Sequence, residues 1–222
     1  MITDDRLDEL LSSVGSARGY LGGYGPAGPA DCSVVLATGQ DPLIDDFEDG
    51  DEWLPVVDGR DGHWYLVHDG TGQLQQSAPP KPESGAPLGG QAMHVQGSGF
   101  TEWGAALGVD LRNQGALYDP RPSYSGLRFW AAGRGRIRVI FAQADLDPAH
   151  PCGTCDARST QCGAFYSQEV ELVAAGVTHD ISFDQFEGQG GPLPFSTELI
   201  SIKFEAPPPD SIDFWLDDVR FY

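Results

Sequence analysis

The sequence predicts an all-β chain: an antiparallel β-sandwich or jelly roll, with a short N-terminal helix and a Gly/Pro-rich arm in front of it. Two observations carry this. The 29 glycines and 17 prolines in 222 residues break the chain into short segments. Several of those segments alternate with a period of two, as Ile137, Val139 and Phe141 do against Arg136 and Arg138, which gives a sheet with one face in a core. A chain of this length buries one sizeable core, so the division expected is an appendage over 1–40 and one sandwich domain over 41–222.

The elements follow in order. Leu7, Leu10, Leu11 and Val14 recur at helical spacing behind Thr3 or Asp4 as a cap, which predicts an amphipathic helix over 3–14. Residues 15–31 carry glycine and proline without periodicity and read as a linker or extended arm, with Tyr20 and Tyr24 available to dock on the domain. Strands are expected at 43–48, 64–69, 92–96, 104–111, 126–131, 136–143, 166–173, 178–182, 199–205 and 212–222. Between the second and third, residues 73–90 hold Pro79, Pro80, Pro82 and Pro87 and are expected to form a loop without elements. Ten short strands of this kind pack as two sheets that bury alternate side chains.

Charge narrows the function. Thirteen basic against 33 acidic residues give a net charge of −20, which repels nucleic-acid backbones and anionic lipid surfaces and favours cations and neutral partners. No apolar run reaches the length of a membrane span. The first residues are acidic and lack the apolar core of a signal peptide, so the expectation is a cytosolic protein or the mature form of an exported one. Cysteines favour export. Cys152, Cys155 and Cys162 crowd one loop with Cys32 far upstream, and an even number in a loop-rich chain suits disulfides, hence a secreted or cell-surface setting. The pairing of Cys155 with Cys162 and Cys32 with Cys152 is one of three; a zinc site from His150, Cys152, Cys155 and Cys162 is the rival reading.

Two acidic segments bracket the strands: 43–50, with Asp45, Asp46, Glu48 and Asp49, and 214–222, with Asp217 and Asp218. Carboxylates inside β-forming sequence are costly unless neutralised, and a calcium ion would neutralise them. An EF-hand is absent, because Phe47 falls where its third ligand would stand. Catalytic motifs are absent too: the chain has no Gly-x-Ser-x-Gly elbow, His-Glu-x-x-His helix, phosphate-cradling loop or dinucleotide fingerprint.

Phe47-Glu48-Asp49-Gly50 followed by Trp53, then Trp64-Tyr65, then 126–133, then Phe214-Trp215-Leu216-Asp217-Asp218-Val219 resemble the carbohydrate-binding modules of the galactose-binding-like jelly-roll class. These are accessory domains of secreted bacterial glycan-degrading enzymes, and complex I intermediate-associated proteins share the scaffold. The resemblance covers most of 43–222. It implies a structural Ca²⁺ between the first and last strands, held by Glu48 and Asp218 with Asp46 and Asp217 as alternates. Asp69, on the loop after the second strand, is a further candidate ligand. Trp53 and Trp215, in the end motifs, are read as structural.

Sugar rings are held by flat aromatic surfaces flanked by groups that hydrogen-bond hydroxyls. Tyr65, Trp103, Arg128, Arg138 and Gln168 are the expected contacts, on a sheet face that strand parity leaves open. The function expected is non-catalytic polysaccharide binding by a calcium-stabilised extracellular module. The alternative is a structural subunit that contacts other protein subunits through residues 1–40.

Overall fold

A computed structural model describes residues 32–222 apart from 77, 149, 157, 159–161, 189–190, 193–197 and 209–210. The expected helix over 3–14 and the arm over 15–31 lie outside the described residues. In chain order the strands are β1 (Val34–Leu36), β2 (Leu43–Asp45), β3 (Trp64–His68), β4 (Gln73–Leu74), β5 (Glu83–Ser84), β6 (Gln91–Ser98), β7 (Ala105–Asp110) and β8 (Leu117–Asp119). They continue as β9 (Gly126–Gly133), β10 (Gly135–Gln143), β11 (Tyr166–Leu172), β12 (Val177–Ser182), β13 (Glu187–Gly188), β14 (Gly191–Pro192), β15 (Leu199–Ala206) and β16 (Ile212–Phe221).

Among the described residues these strands form two sheets. In the first, β3, β7, β15, β10, β11, β13 and β14 lie side by side, β8 joins β15, and β1 runs parallel to β8. In the second the order is β12, β9, β16, β6, β4, with β2 on β16 and β5 on β6. All pairings except β1 with β8 are antiparallel. The chain is a jelly-roll β-sandwich.

Parity fixes the core. Ile137, Val139 and Phe141 of β10, Ile202 and Phe204 of β15, Leu127, Phe129 and Ala131 of β9, and Phe214, Leu216, Val219 and Phe221 of β16 point inward and are fully buried. Trp64 is buried with them, its ring 5.0 Å from Phe47. Each inward residue alternates with one on an outer face, and those outer faces are where a ligand can be met.

Three features differ from the sequence reading. β1 extends the sandwich N-terminal of residue 41, where a three-residue strand is too short to show a period. The proline-rich stretch 73–90 contributes two-residue strands at β4 and β5, which borrow their order from β6. Trp53 is not structural: it is 49% exposed, because it is held by an isolated bridge to His63 rather than by a strand between sheets.

The two ends of the domain are fastened by a buried arginine. Arg60 Nη2 donates to the carbonyls of Asp41 and Leu43, each at 2.7 Å. Its Nη1 donates to Asp58 Oδ2 at 3.2 Å and to the Tyr118 hydroxyl at 3.0 Å, and the guanidinium lies within 6 Å of the Tyr118 and Phe221 rings. Asp58 in turn accepts from the Thr38 amide and hydroxyl and from the Tyr124 hydroxyl. Burial would raise the Asp58 carboxyl, but the Thr38 and Tyr124 hydrogen bonds and the Arg60 charge outweigh it and hold it at about 2.

Candidate functional site

The outer face of the first sheet carries the richest set of sugar-compatible groups. Tyr65 and Val67 of β3 and Ala106 of β7 form a separate apolar cluster on that face, with Trp103 packed against it. Tyr65 pairs with Gly108 of β7. A side chain at 108 would strike the Tyr65 ring, its Cβ lying 2.3 Å from Cζ, so the glycine is what lets the ring lie flat along the sheet. His63 precedes Trp64 and shares the parity of Tyr65; its ring is 6.5 Å from Tyr65 and 5.2 Å from Trp53. Trp53, His63, Tyr65 and Trp103 thus make a strip of rings along the edge of the sheet. Burial lowers the His63 imidazole, with Glu52 opposing, so the ring is neutral near pH 7, and its Nδ1 has no hydrogen-bond partner among the described residues.

Beside the strip lies a polar floor. The registers put Ala106, Glu205 and Arg138 in one cross-strand row, and Gly108, Lys203 and Ile140 in the next. Asp110 and Ser201 pair one step further. Asp110, Ser201, Lys203 and Glu205 are each at most 5% exposed. Arg138 donates to Glu205 from a half-open position, 41% exposed against 2% for the glutamate side chain. Lys203 stands 5.4 Å from the Phe165 ring. Burial pulls the Lys203 ammonium down against the charges of Asp147, Asp110 and Glu205, and burial pushes Asp110 up to about 7 despite Lys203. Over this floor the excursion between β10 and β11 makes a wall. A cavity of about 370 Å³ opens there between Arg138, Ile140, Phe165, Ser167 and Glu187.

That wall is cross-linked. Cys32 is bonded to Cys152 and Cys155 to Cys162, which settles the pairing among the three alternatives and removes the thiolates a zinc site needs. Cys152 and Val34 pack against Leu117, Ala144 and Ile200 at one end of the same face.

Of the five expected sugar contacts, the structure brings Tyr65, Trp103 and Arg138 to this face. Arg128 is on the other sheet. It forks onto Asp180, at 2.5 and 3.0 Å, and lies against the Tyr222 ring. Gln168 pairs with Val139 and so faces inward at the edge of the first sheet, its Nε2 on the Glu169 carbonyl. Arg128 and Gln168 lie off this face for one reason: their strands were placed correctly, but which sheet and which parity each took was not readable. Lys203 and Glu205 were missed although they alternate strictly with Ile202 and Phe204, a signal that put them outward. Trp53 and His63 gave no signal, since neither sits in a periodic segment.

The acidic brackets meet at the sandwich edge. Phe47 and Asp218 both take left-handed backbone, with φ of 58° and 51°. The register of β16 shifts against β9 between Asp217 and Arg220 and against β2 between Val219 and Arg220, a bulge at the point where Asp217 and Asp218 come near the chain after β2. Burial, then the charges of Asp218, Glu48 and Asp46, push Asp217 up to about 7 against the hydrogen bond from the Asp218 amide. Four of the five expected metal ligands are therefore in one electrostatic neighbourhood, and their all-oxygen donor set suits a hard cation. As placed, Glu48 accepts from the Gln91 amide and Asp218 from Arg220, and no three His, Cys, Asp or Glu side chains among the described residues form a ready group for a metal. Asp69 is elsewhere. It lies at the far end of β3 from Trp64, saturated by the Thr71 amide and hydroxyl and the amides of Glu102 and Gly104. Asp45 is also committed, to the Trp64 indole at 2.7 Å and the Phe47 amide at 2.8 Å.

In architecture the chain falls with the carbohydrate-binding modules of jelly-roll type. The family 11 module of a cellulosomal cellulase from Clostridium thermocellum superposes with a TM-score of 0.51 over 81% of this chain and 92% of that one, at 17% identity. A family 29 module, CBM29-2, gives 0.40 over 78% of this chain and 88% of that one, at 10% identity. At these identities the likeness is one of fold. No protein-family model matches the chain, and no curated protein matches it.

Proposed function

We propose that the chain binds a polysaccharide without turning it over, on the outer face of the first sheet. One observation carries this reading: the strip of Trp53, His63, Tyr65 and Trp103 rings with the half-exposed Arg138 guanidinium, held by Glu205, on the same face. Flat rings take the apolar faces of sugars, and fixed donors and acceptors take their hydroxyls in pairs. The fold shared with carbohydrate-binding modules supports it. Two disulfides support an extracellular setting. Glu48, Asp46, Asp217 and Asp218 would hold a structural Ca²⁺ that fastens the last strand to the chain after β2, its contribution being charge neutralisation at a buried carboxylate. A glycan array probed at millimolar calcium tests the reading. Retention on soluble polysaccharides is expected, and absence of binding across the array refutes it.

A further inference from the structure

The second sheet's outer face repeats, in smaller form, the arrangement by which the first sheet seats Tyr65. Phe221 ends β16 inside the core, so the next residue, Tyr222, turns outward. It pairs with Gly126 of β9, each amide donating to the other's carbonyl, at 3.1 and 3.2 Å. A side chain at 126 would strike the Tyr222 ring, its Cβ lying 2.4 Å from Cζ, so this ring too lies flat on a cross-strand glycine. Tyr222 remains 37% exposed. Two residues along β9, Arg128 stands between the inward Leu127 and Phe129 and points outward, its guanidinium 5.5 Å from the Tyr222 ring. There it forks onto Asp180, its cross-strand partner on β12. On its other side the register sets Arg220 of β16, which donates to Oδ1 of Asp218 and leaves Oδ2 to a cation. A cleft of about 360 Å³ opens between these two pairs and Thr178, a volume inside the range of about 300–1,000 Å³ that small ligands occupy.

The chemistry of the cleft selects its ligand. Each guanidinium already faces a carboxylate, so the charges cancel and a phosphate or sulfate meets no unneutralised cation. What stays open is a fixed set of planar donors and acceptors, with Arg128 and Asp180 44% and 50% exposed. Adjacent hydroxyls of a neutral pyranose use a donor and an acceptor side by side, and the apolar face of the sugar covers a tyrosine ring. We infer that this cleft is a second carbohydrate site, for one or two neutral sugar residues, separate from the ring strip on the first sheet. One ring against four makes it the weaker of the two. The two outer faces lie on opposite sides of the sandwich, so a short oligosaccharide fills one site or the other and the molecule takes two.

The test is a titration of the full chain with cellohexaose, mannohexaose and xylohexaose, followed through the NMR signals of the Tyr222 ring and the Arg128 Nε–H, with Trp53 and Tyr65 reporting on the strip. The Tyr222 and Arg128 signals should move with at least one of the sugars, and should move equally in Trp53→Ala/Tyr65→Ala. Arg128→Lys keeps the charge and loses the fork, so binding read at Tyr222 should weaken about tenfold while affinity at the strip stays as it was. Tyr222 and Arg128 signals that never move overturn the inference, as does an affinity at Tyr222 that Arg128→Lys leaves unchanged. Shifts that vanish in Trp53→Ala/Tyr65→Ala also overturn it, because they are then relayed from the first sheet. Sodium sulfate that moves Arg128 at a lower concentration than any of the sugars overturns it too, the cleft then being an anion site. Shifts at Tyr222 and Arg128 with none at Trp53 and Tyr65 sustain the second site and remove the first, so the two readings fail separately.

Discussion

Replacing Arg60 by methionine keeps the length of the side chain and removes its charge and donors. Two carbonyls then lose 2.7 Å donors, and the Asp58 carboxylate, 4% exposed, loses the guanidinium beside it while keeping the Thr38 and Tyr124 hydrogen bonds. Removing one partner of a buried ion pair costs about 3–5 kcal/mol, which for a chain of this size lowers the melting midpoint by about 6–20 °C. Thermal or urea denaturation at pH 7 reads it. Asp58→Asn in the Arg60→Met background should recover part of the loss, since an uncompensated buried charge is then gone. The pH dependence has a definite sign. The folded Asp58 carboxyl is held at about 2 against 3.8 unfolded, so its stabilisation is present above pH 3.8 and is lost as pH falls through 2. In Arg60→Met that acid-side loss should shrink. A cost under about 1 kcal/mol, or an unchanged acid limb, would refute the view that Arg60 joins the two chain ends.

Two further outcomes follow from the same geometry. Gly108→Ala must lift the Tyr65 ring off the sheet, so glycan affinity should fall about tenfold and the loss should not add to that of Tyr65→Ala; additive losses would mean the ring does not need that seat. At the acidic bracket, Asp217 is raised from 3.8 to about 7, so in chelator the fold is more stable below pH 4 and loses up to about 4 kcal/mol as pH rises through 7. Asp217→Asn should therefore melt higher than the parent in chelator at pH 8 and show no calcium increment, whereas a parent midpoint indifferent to chelator would remove the structural ion.

The fold was legible because burial on one face writes a period of two into the sequence, which β9 and β10 obey and β16 obeys on either side of its bulge. The same rule placed Arg138 outward. It could not place Arg128 and Gln168, since parity within a strand says nothing about which sheet the strand joins or which neighbour it pairs with. The acidic segments 43–50 and 214–222 do meet, but the bulge at Asp218 shows in the sequence only as a slip of phase between Leu216 and Val219, which does not say what it brings together. Trp53 was read as structural because it lies in the first end motif; one bridge to His63 outside any strand holds it at the surface instead. Lys203 and Glu205 show the opposite case, polar residues outward by parity yet buried, because the excursion after β10 folds back over their sheet.

The account turns on which face meets the glycan, and one titration series decides it. Calorimetry of a bound oligosaccharide from the array against Trp53→Ala, Tyr65→Ala, Arg128→Ala and Gln168→Ala compares the ring strip with the two residues that lie off it. Losses of about tenfold or more at Trp53 and Tyr65, with Arg128 and Gln168 unchanged, are what the outer-face site predicts. Binding that survives Trp53→Ala and Tyr65→Ala but is lost with Arg128→Ala would place the glycan on the opposite sheet and contradict it.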